Sequence, residues 1–376
     1  MEIYWYLIPQ DGPYPWSEKG RRTVDFDYLA QIARAVDHLG YTGALLATGG
    51  GEHDAWVLGS SLIPLTRRMK FIVAVHPGIV APLMLAQKAA TFDQFSNGRL
   101  IINMVTGENR QMPPYGITLD HDERYALTDE YWGVWRRLMA GEVVDFEGRF
   151  LNLKGAQLRL PPVQKPYPKL FFGGSSEPAL NVAARHADTY LTWGEPPPQA
   201  AEKIKAVRER AKALGRTVKF GIRLNLIVRE TKQEAWDAAQ WLLDRMDDEV
   251  VAGAQARNKS SDSVGQARMR DIVGDRKPKH ARDLEIYPDM WGGFGLVRNG
   301  PGTAIVGDPE TVAARIREYS DIGFDTFIVS GQPLLEETYR VADLLLPLLP
   351  FDRDAVRKPQ LDLGPFYNTA RGAAGR

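Results

Sequence analysis

Short apolar runs recur along the chain with amphipathic stretches between them, and this alternation predicts βα units around a parallel sheet. Eight runs read as strands, over residues 2–8, 42–48, 70–75, 100–105, 170–173, 189–192, 219–228 and 326–330. The first intervening segment places Leu29, Ile32, Ala33, Val36 and Leu39 three or four apart and ends in Gly40, a helix with a glycine C-cap. Further helices are expected over about 55–65, 82–95, 123–139, 178–186, 200–214, 233–246, 309–322 and 335–348. Eight strands, each followed by a helix, fit a (β/α)8 TIM barrel of about 250 residues with insertions. A doubly wound open sheet is the alternative that the pattern leaves open.

The surplus length is expected within a single barrel domain over 1–350. Residues 143–160 read as a small β insertion with Gly148 and Gly155 as turn residues, and 247–301 as a long loop, either a functional lid or disordered. Residues 351–376 read as a tail without a core of its own.

Composition then narrows the function. With 376 residues, 44% hydrophobic and 25% charged, the chain is globular, and 47 basic against 47 acidic residues leave no net field to favour nucleic acid or an anionic membrane. Any anion site must be local. The absence of cysteine removes disulfides, thiolate nucleophiles and cysteine-ligated metal. No signal-peptide pattern or 18-residue apolar run occurs, so a cytoplasmic enzyme is expected.

In a barrel the active site lies beyond the C-terminal ends of the strands, and the residues there are distinctive. Gly173-Gly174-Ser175-Ser176 sits between a strand and a helix, where backbone N–H groups, the helix dipole and two hydroxyls can converge on a phosphate; the plain alternative is a turn with a serine N-cap. Arg223 lies on an apolar strand and needs an anion or a carboxylate, while Arg298 stands between Gly295 and Gly300 in the long insertion. Two arginines around a pocket select a sulfonate, phosphate or carboxylate. Glu52-His53-Asp54 does not make a metal site, because neighbours on one loop cannot all face one ion and Asp54 is placed to N-cap the next helix. No metal is expected. His121-Asp122-Glu123 reads as a helix start. Dinucleotide-binding and serine-hydrolase signatures are absent.

Together these strand-end residues resemble the flavin-dependent alkanesulfonate monooxygenases of the bacterial luciferase-like superfamily, from about Ile3 to Pro350. The likeness rests on Leu39-Gly40-Tyr41-Thr42-Gly43, Asp54-Ala55-Trp56, Ser96-Asn97-Gly98-Arg99, Asn103-Met104-Val105-Thr106-Gly107, Asp120 to Tyr125, Phe172 to Ser176, Tyr190 to Pro196, Gly221-Ile222-Arg223-Leu224, Asp262 to Gln266 and Gly295-Leu296-Val297-Arg298. It implies a (β/α)8 barrel that uses O2 and FMN in its reduced form, FMNH2, supplied by a separate NAD(P)H-dependent flavin reductase, and that releases sulfite and an aldehyde from a small organosulfonate. It also implies a homodimer or homotetramer. Carried over by position, Asn103, Thr106, Tyr125, Gly174, Ser175 and Ser176 hold FMN, Trp193, Arg223 and Arg298 face the sulfonate, and the insertion with Asp262 to Gln266 and Arg298 closes over both. Glu52, Asn225 and Gln332 stand where alkanesulfonate members carry cysteine, histidine and tyrosine. With His53 they are expected to line a more polar pocket, suited to a hydroxylated sulfonate of the sulfoquinovose type, with a short alkanesulfonate as the alternative substrate. A deazaflavin-dependent oxidoreductase and a flavin-binding protein without turnover are the other readings.

Overall fold

The structure, a computed structural model, describes residues 1–351. Among them eight parallel strands close into a barrel: β1 Glu2–Leu7, β2 Gly43–Leu46, β3 Lys70–Val75, β4 Leu100–Met104, β5 Leu170–Gly173, β6 Thr189–Trp193, β7 Lys219–Val228 and β8 Thr326–Ser330. Each pairs with the next, and closure comes from the β8–β1 and β7–β8 ladders. The open doubly wound sheet is excluded. Alternate residues, among them Tyr4, Leu45, Ile72, Ile101, Phe171 and Ile328, fill the barrel interior, while the other strand faces pack under the helices. Burial on both faces is why these strands are nearly continuous apolar runs.

The helices start where local chemistry permits. Asp25 accepts from the Tyr28 amide, and the helix Phe26–Leu39 ends at Gly40 with φ +87°, a left-handed conformation that favours glycine. Asp120 and Glu123 form a reciprocal capping box, so the helix His121–Met139 opens two residues before its apolar pattern does. Strands Val143–Glu147 and Asn152–Gln157 form the antiparallel hairpin of the first insertion.

The region 247–301, expected as a long loop, carries regular secondary structure instead. It contains helices Asp248–Lys259 and Val264–Val273 and an antiparallel pair, Glu285–Tyr287 with Met290–Trp291. Strand Ala304–Gly307 then joins Met290–Trp291 to the second half of β7. Met269, Val273, Trp291, Phe294 and Leu296 share an apolar cluster with the preceding helix Lys232–Asp244. The helical pattern was masked because Gln255, Asn258 and Gln266 point inward. Gln255 donates to the carbonyls of Gly295 and Leu296 at 2.9 and 3.2 Å, so polar positions in the sequence are core positions here. Of the tail expected over 351–376, residues 352–376 lie outside the described residues. No helix among the described residues is long and apolar enough to cross a membrane.

Candidate active site

At the C-terminal end of the barrel lies a cavity of about 500 Å³, lined from all eight strand ends and by residues of the insertion. Its volume suits a cofactor-sized ligand.

One end is built around the β5 turn. Ser176 N-caps helix Glu177–His186, as the plain alternative had it, and Gly174, Ser175 and Ser176 all line the cavity in front of that helix N-terminus. A Cβ on Gly174 would meet the Ala179 Cβ at 2.6 Å and the Tyr125 hydroxyl at 3.4 Å, so glycine keeps the cradle open. Behind the turn, Lys203 donates to Ser175 Oγ at 2.7 Å and to Glu195 at 2.7 Å, with both charged side chains buried. Arg268 reaches Glu195 from the insertion at 2.9 and 3.2 Å. Two cations on one carboxylate leave net positive charge behind the hydroxyls. Burial pushes the Lys203 ammonium down, and the Glu195 carboxylate opposes that shift.

Sequence reasoning missed Lys203, Arg268 and the role of Glu195. The signal for Lys203 was present: it stands among Ala200, Ile204, Val207 and Ala211 on the buried face of helix Pro197–Ala213, where a charge needs a partner.

The other end is polar and partly unsatisfied. Arg223 projects from β7 with its guanidinium 3.8 Å from the centroid of the Tyr6 ring, and its Nη2 is buried without a hydrogen-bond partner. Arg298 lines the same cavity on a loop fixed by Gln266, which accepts from the Gly300 amide at 2.8 Å, and by Asn258, which donates to the Arg298 carbonyl at 3.4 Å. Burial, and then the neighbouring Arg223 charge, pull the Arg298 guanidinium down to about 10. Glu52 also lines the cavity; burial raises its carboxyl above the usual range, against the pull of Arg223 and Arg298. Glu52 Oε2, Gln332 Oε1 and, nearer β4, Asn103 Oδ1 are buried acceptors without partners. Buried polar atoms are satisfied in most proteins, so orphans converging on a cavity point to a ligand. No carboxylate lies within 4.0 Å of either arginine among the described residues.

The structure therefore brings together Glu52, Asn103, Thr106, Tyr125, Gly174, Ser175, Ser176, Trp193, Arg223, Arg298 and Gln332. Two expected residues fall elsewhere. His53 is exposed and away from the cavity, because Asp54 turns the chain outward by capping helix Ala55–Leu62 through the Trp56 and Val57 amides. Asn225 is buried but spent on the backbone: it donates to the carbonyls of Pro301 and Thr303 and accepts from Ser330 at 2.9 Å, riveting β7 to β8 and to the approach of strand Ala304–Gly307.

The insertion is latched to the loop after β4. Asp262 accepts from the Asn109 amide at 3.0 Å and from Arg124 at 2.5 Å, Arg110 donates to the Arg257 carbonyl, and Ser261 donates to Glu108. Burial works to raise the Asp262 carboxyl, but the Asn109 and Arg124 hydrogen bonds overcome it and hold it below the usual range. A depressed carboxylate contributes stability that is complete above its unfolded pKa and lost as pH falls through the folded one. Asp262→Ala is expected to speed amide exchange across 248–273 by about tenfold or more, the loss of hydrogen bonds to charged groups worth about 1.5–3 kcal/mol. Hydrogen-exchange mass spectrometry checks this, and in the unsubstituted chain the same region should loosen in acid.

A parallel barrel thus joins a hydroxyl-lined helix N-terminus at one side of the cavity to an arginine pair at the other. The chain belongs to the luciferase-like monooxygenase family, which it matches over residues 1–326. In fold it is similar to a riboflavin lyase crystallised with modified FMN and riboflavin, at 20% identity and TM-score 0.75 over 95% of this chain and 96% of that one. It is similar also to a long-chain alkane monooxygenase, at 20% identity and TM-score 0.74 over 100% and 96%. The EDTA monooxygenase from Chelativorans sp. BNC1 aligns at 19% identity and TM-score 0.73 over 95% of each chain.

Proposed function

We propose that this chain is the oxygenase component of a two-component flavin monooxygenase that cleaves the C–S bond of an organosulfonate, releasing sulfite and an aldehyde. The observation that carries it is the arginine pair: two guanidiniums share one cavity and neither forms a salt bridge to a protein carboxylate among the described residues, so the three oxygens of an –SO3⁻ group suit their forks. The EDTA and long-chain alkane monooxygenases on the same barrel support the oxygenase part.

The residues fit reduced FMN. Ser175 and Ser176, with Lys203 behind and the helix N-terminus in front, would hold its phosphate, while Asn103, Thr106 and Tyr125 line the span toward the barrel axis. When bound, reduced FMN delivered by a separate reductase would supply the electrons that activate O2. The protein's own work is to bind, orient and dry the site. Arg223 and Arg298 hold the sulfonate and offset charge that builds on its oxygens. Trp193, whose ring would stand 3.4 Å from a Cβ added to Gly265, walls the site against the insertion, whose latch would exclude water.

Gln332 Oε1 is an acceptor that a linear alkane chain leaves unpaired and that a substrate hydroxyl would satisfy. The substrate is therefore a hydroxylated sulfonate such as sulfoquinovose. A sulfonate panel assayed for sulfite with reduced FMN and a reductase should favour the sugar by at least about tenfold in kcat/KM. Equal turnover of octanesulfonate would remove the polar-pocket preference, and no sulfite from any member would remove the function.

A further inference from the structure

We propose that Glu52 is the proton acceptor for the substrate held between Arg223 and Arg298, receiving on Oε2 the proton lost from the carbon that carries sulfur. This rests on the sulfonate reading above and adds the base that it lacks. Turning a carbon that bears H and SO3⁻ into an aldehyde, with O2 as oxidant and reduced flavin as reductant, yields sulfite, water, oxidised flavin and one proton. An O2-derived oxygen forms the first bond to carbon as the C–S pair leaves with sulfite; the C–H pair then becomes the second bond to that oxygen as the O–O bond breaks and the other oxygen leaves as water, and the proton needs a base at that carbon.

Glu52 is placed for this by geometry. It shares the cavity wall with both arginines, and its Oε2 is buried with no hydrogen-bond partner. Among the other titratable groups near it, Tyr6 lies under Arg223, Glu108 is taken by Ser261, and the Tyr115 hydroxyl reaches only the Gly50 side of the loop. His53 and Asp54, its chain neighbours, face out. Glu52 alone of these is a free carboxylate oxygen next to the arginine pair.

The same geometry couples its basicity to the substrate. Burial raises the Glu52 carboxyl and the two guanidiniums pull it back. An anion seated on the guanidiniums cancels that pull, so proton affinity rises when the substrate arrives, toward the range where a general base works best. The acid limb of kcat, which reports the complex, should therefore lie at higher pH than that of kcat/KM.

The test is anaerobic calorimetry of the full chain with reduced FMN, titrated with sulfoquinovose and with octanesulfonate in buffers of different ionisation enthalpy. Without O2 nothing turns over. Binding should take up protons in the wild type, and this uptake should vanish in Glu52→Gln while affinity changes less than about threefold. In turnover, Glu52→Gln should lower kcat by at least about tenfold and erase the acid limb, with Glu52→Asp restoring part of both. Binding with no uptake, or with uptake unchanged in Glu52→Gln, overturns the role of Glu52 and leaves the sulfonate function standing. Absence of binding by either sulfonate overturns both.

Discussion

Under the proposed sulfonate function, Arg223→Ala is expected to lower kcat/KM for sulfite release by 100- to 1,000-fold, the cost of removing one preorganised donor from a dry anion site, about 3–4 kcal/mol. The size follows from how the residue is held. Its strand is paired on both sides, to β6 and to β8, and the guanidinium stacks on Tyr6, so the donor is fixed before the anion arrives. Fixed donors cost no reorganisation as charge builds. Arg298 cannot substitute, since it approaches from a different loop and its charge is already disfavoured by burial. Arg223→Lys should recover little, because an ammonium cannot present two parallel N–H groups to the sulfonate. Steady-state kinetics with sulfite detection measures the effect, alongside circular dichroism to establish that the barrel is intact. A loss below about fivefold would move the sulfonate contact elsewhere.

Lys203→Met is expected to weaken both the fold and the proposed FMN site. Its ammonium and the Glu195 carboxylate are buried together, and removing one partner of such a pair costs about 3–5 kcal/mol because the other charge stays in the protein. Arg268 retains Glu195 from its half-exposed side, which places the loss at the lower end, about 3 kcal/mol by denaturant midpoint. Ser175 loses its cation as well. FMN affinity, read by flavin fluorescence, should fall at least about tenfold while riboflavin affinity stays the same, since riboflavin has no phosphate for the cradle to feel. Adding Glu195→Gln to Lys203→Met should restore stability but not FMN affinity. Equal losses for FMN and riboflavin would detach Lys203 from phosphate binding.

The barrel was legible because its strands are buried on both faces and bounded by turn residues; all eight fell within two residues of the expected bounds. Cavity residues at strand ends were legible too, since a parallel barrel dictates where its loops converge. The failures have physical causes. His53 and Asn225 were assigned by position, but Asp54's capping role points one out and the backbone carbonyls of Pro301 and Thr303 claim the other. The insertion defeated periodicity because its helices bury glutamine and asparagine against backbone. Arg124 with Asp262, and Glu195 with Lys203 and Arg268, join residues 138, 8 and 73 positions apart, pairings to which local pattern is blind.

Strand β7 outruns the barrel: residues up to Asn225 ladder with β8, and from Asn225 onward with Ala304–Gly307, whose approach carries the Arg298 loop. One uninterrupted β-ribbon is thus the ruler between the two arginines. Asn258 and Gln266 of the insertion pin the Arg298 loop against that ruler, so remodelling the cover over the pocket mouth changes which molecules enter and the spacing of the cationic clamp together.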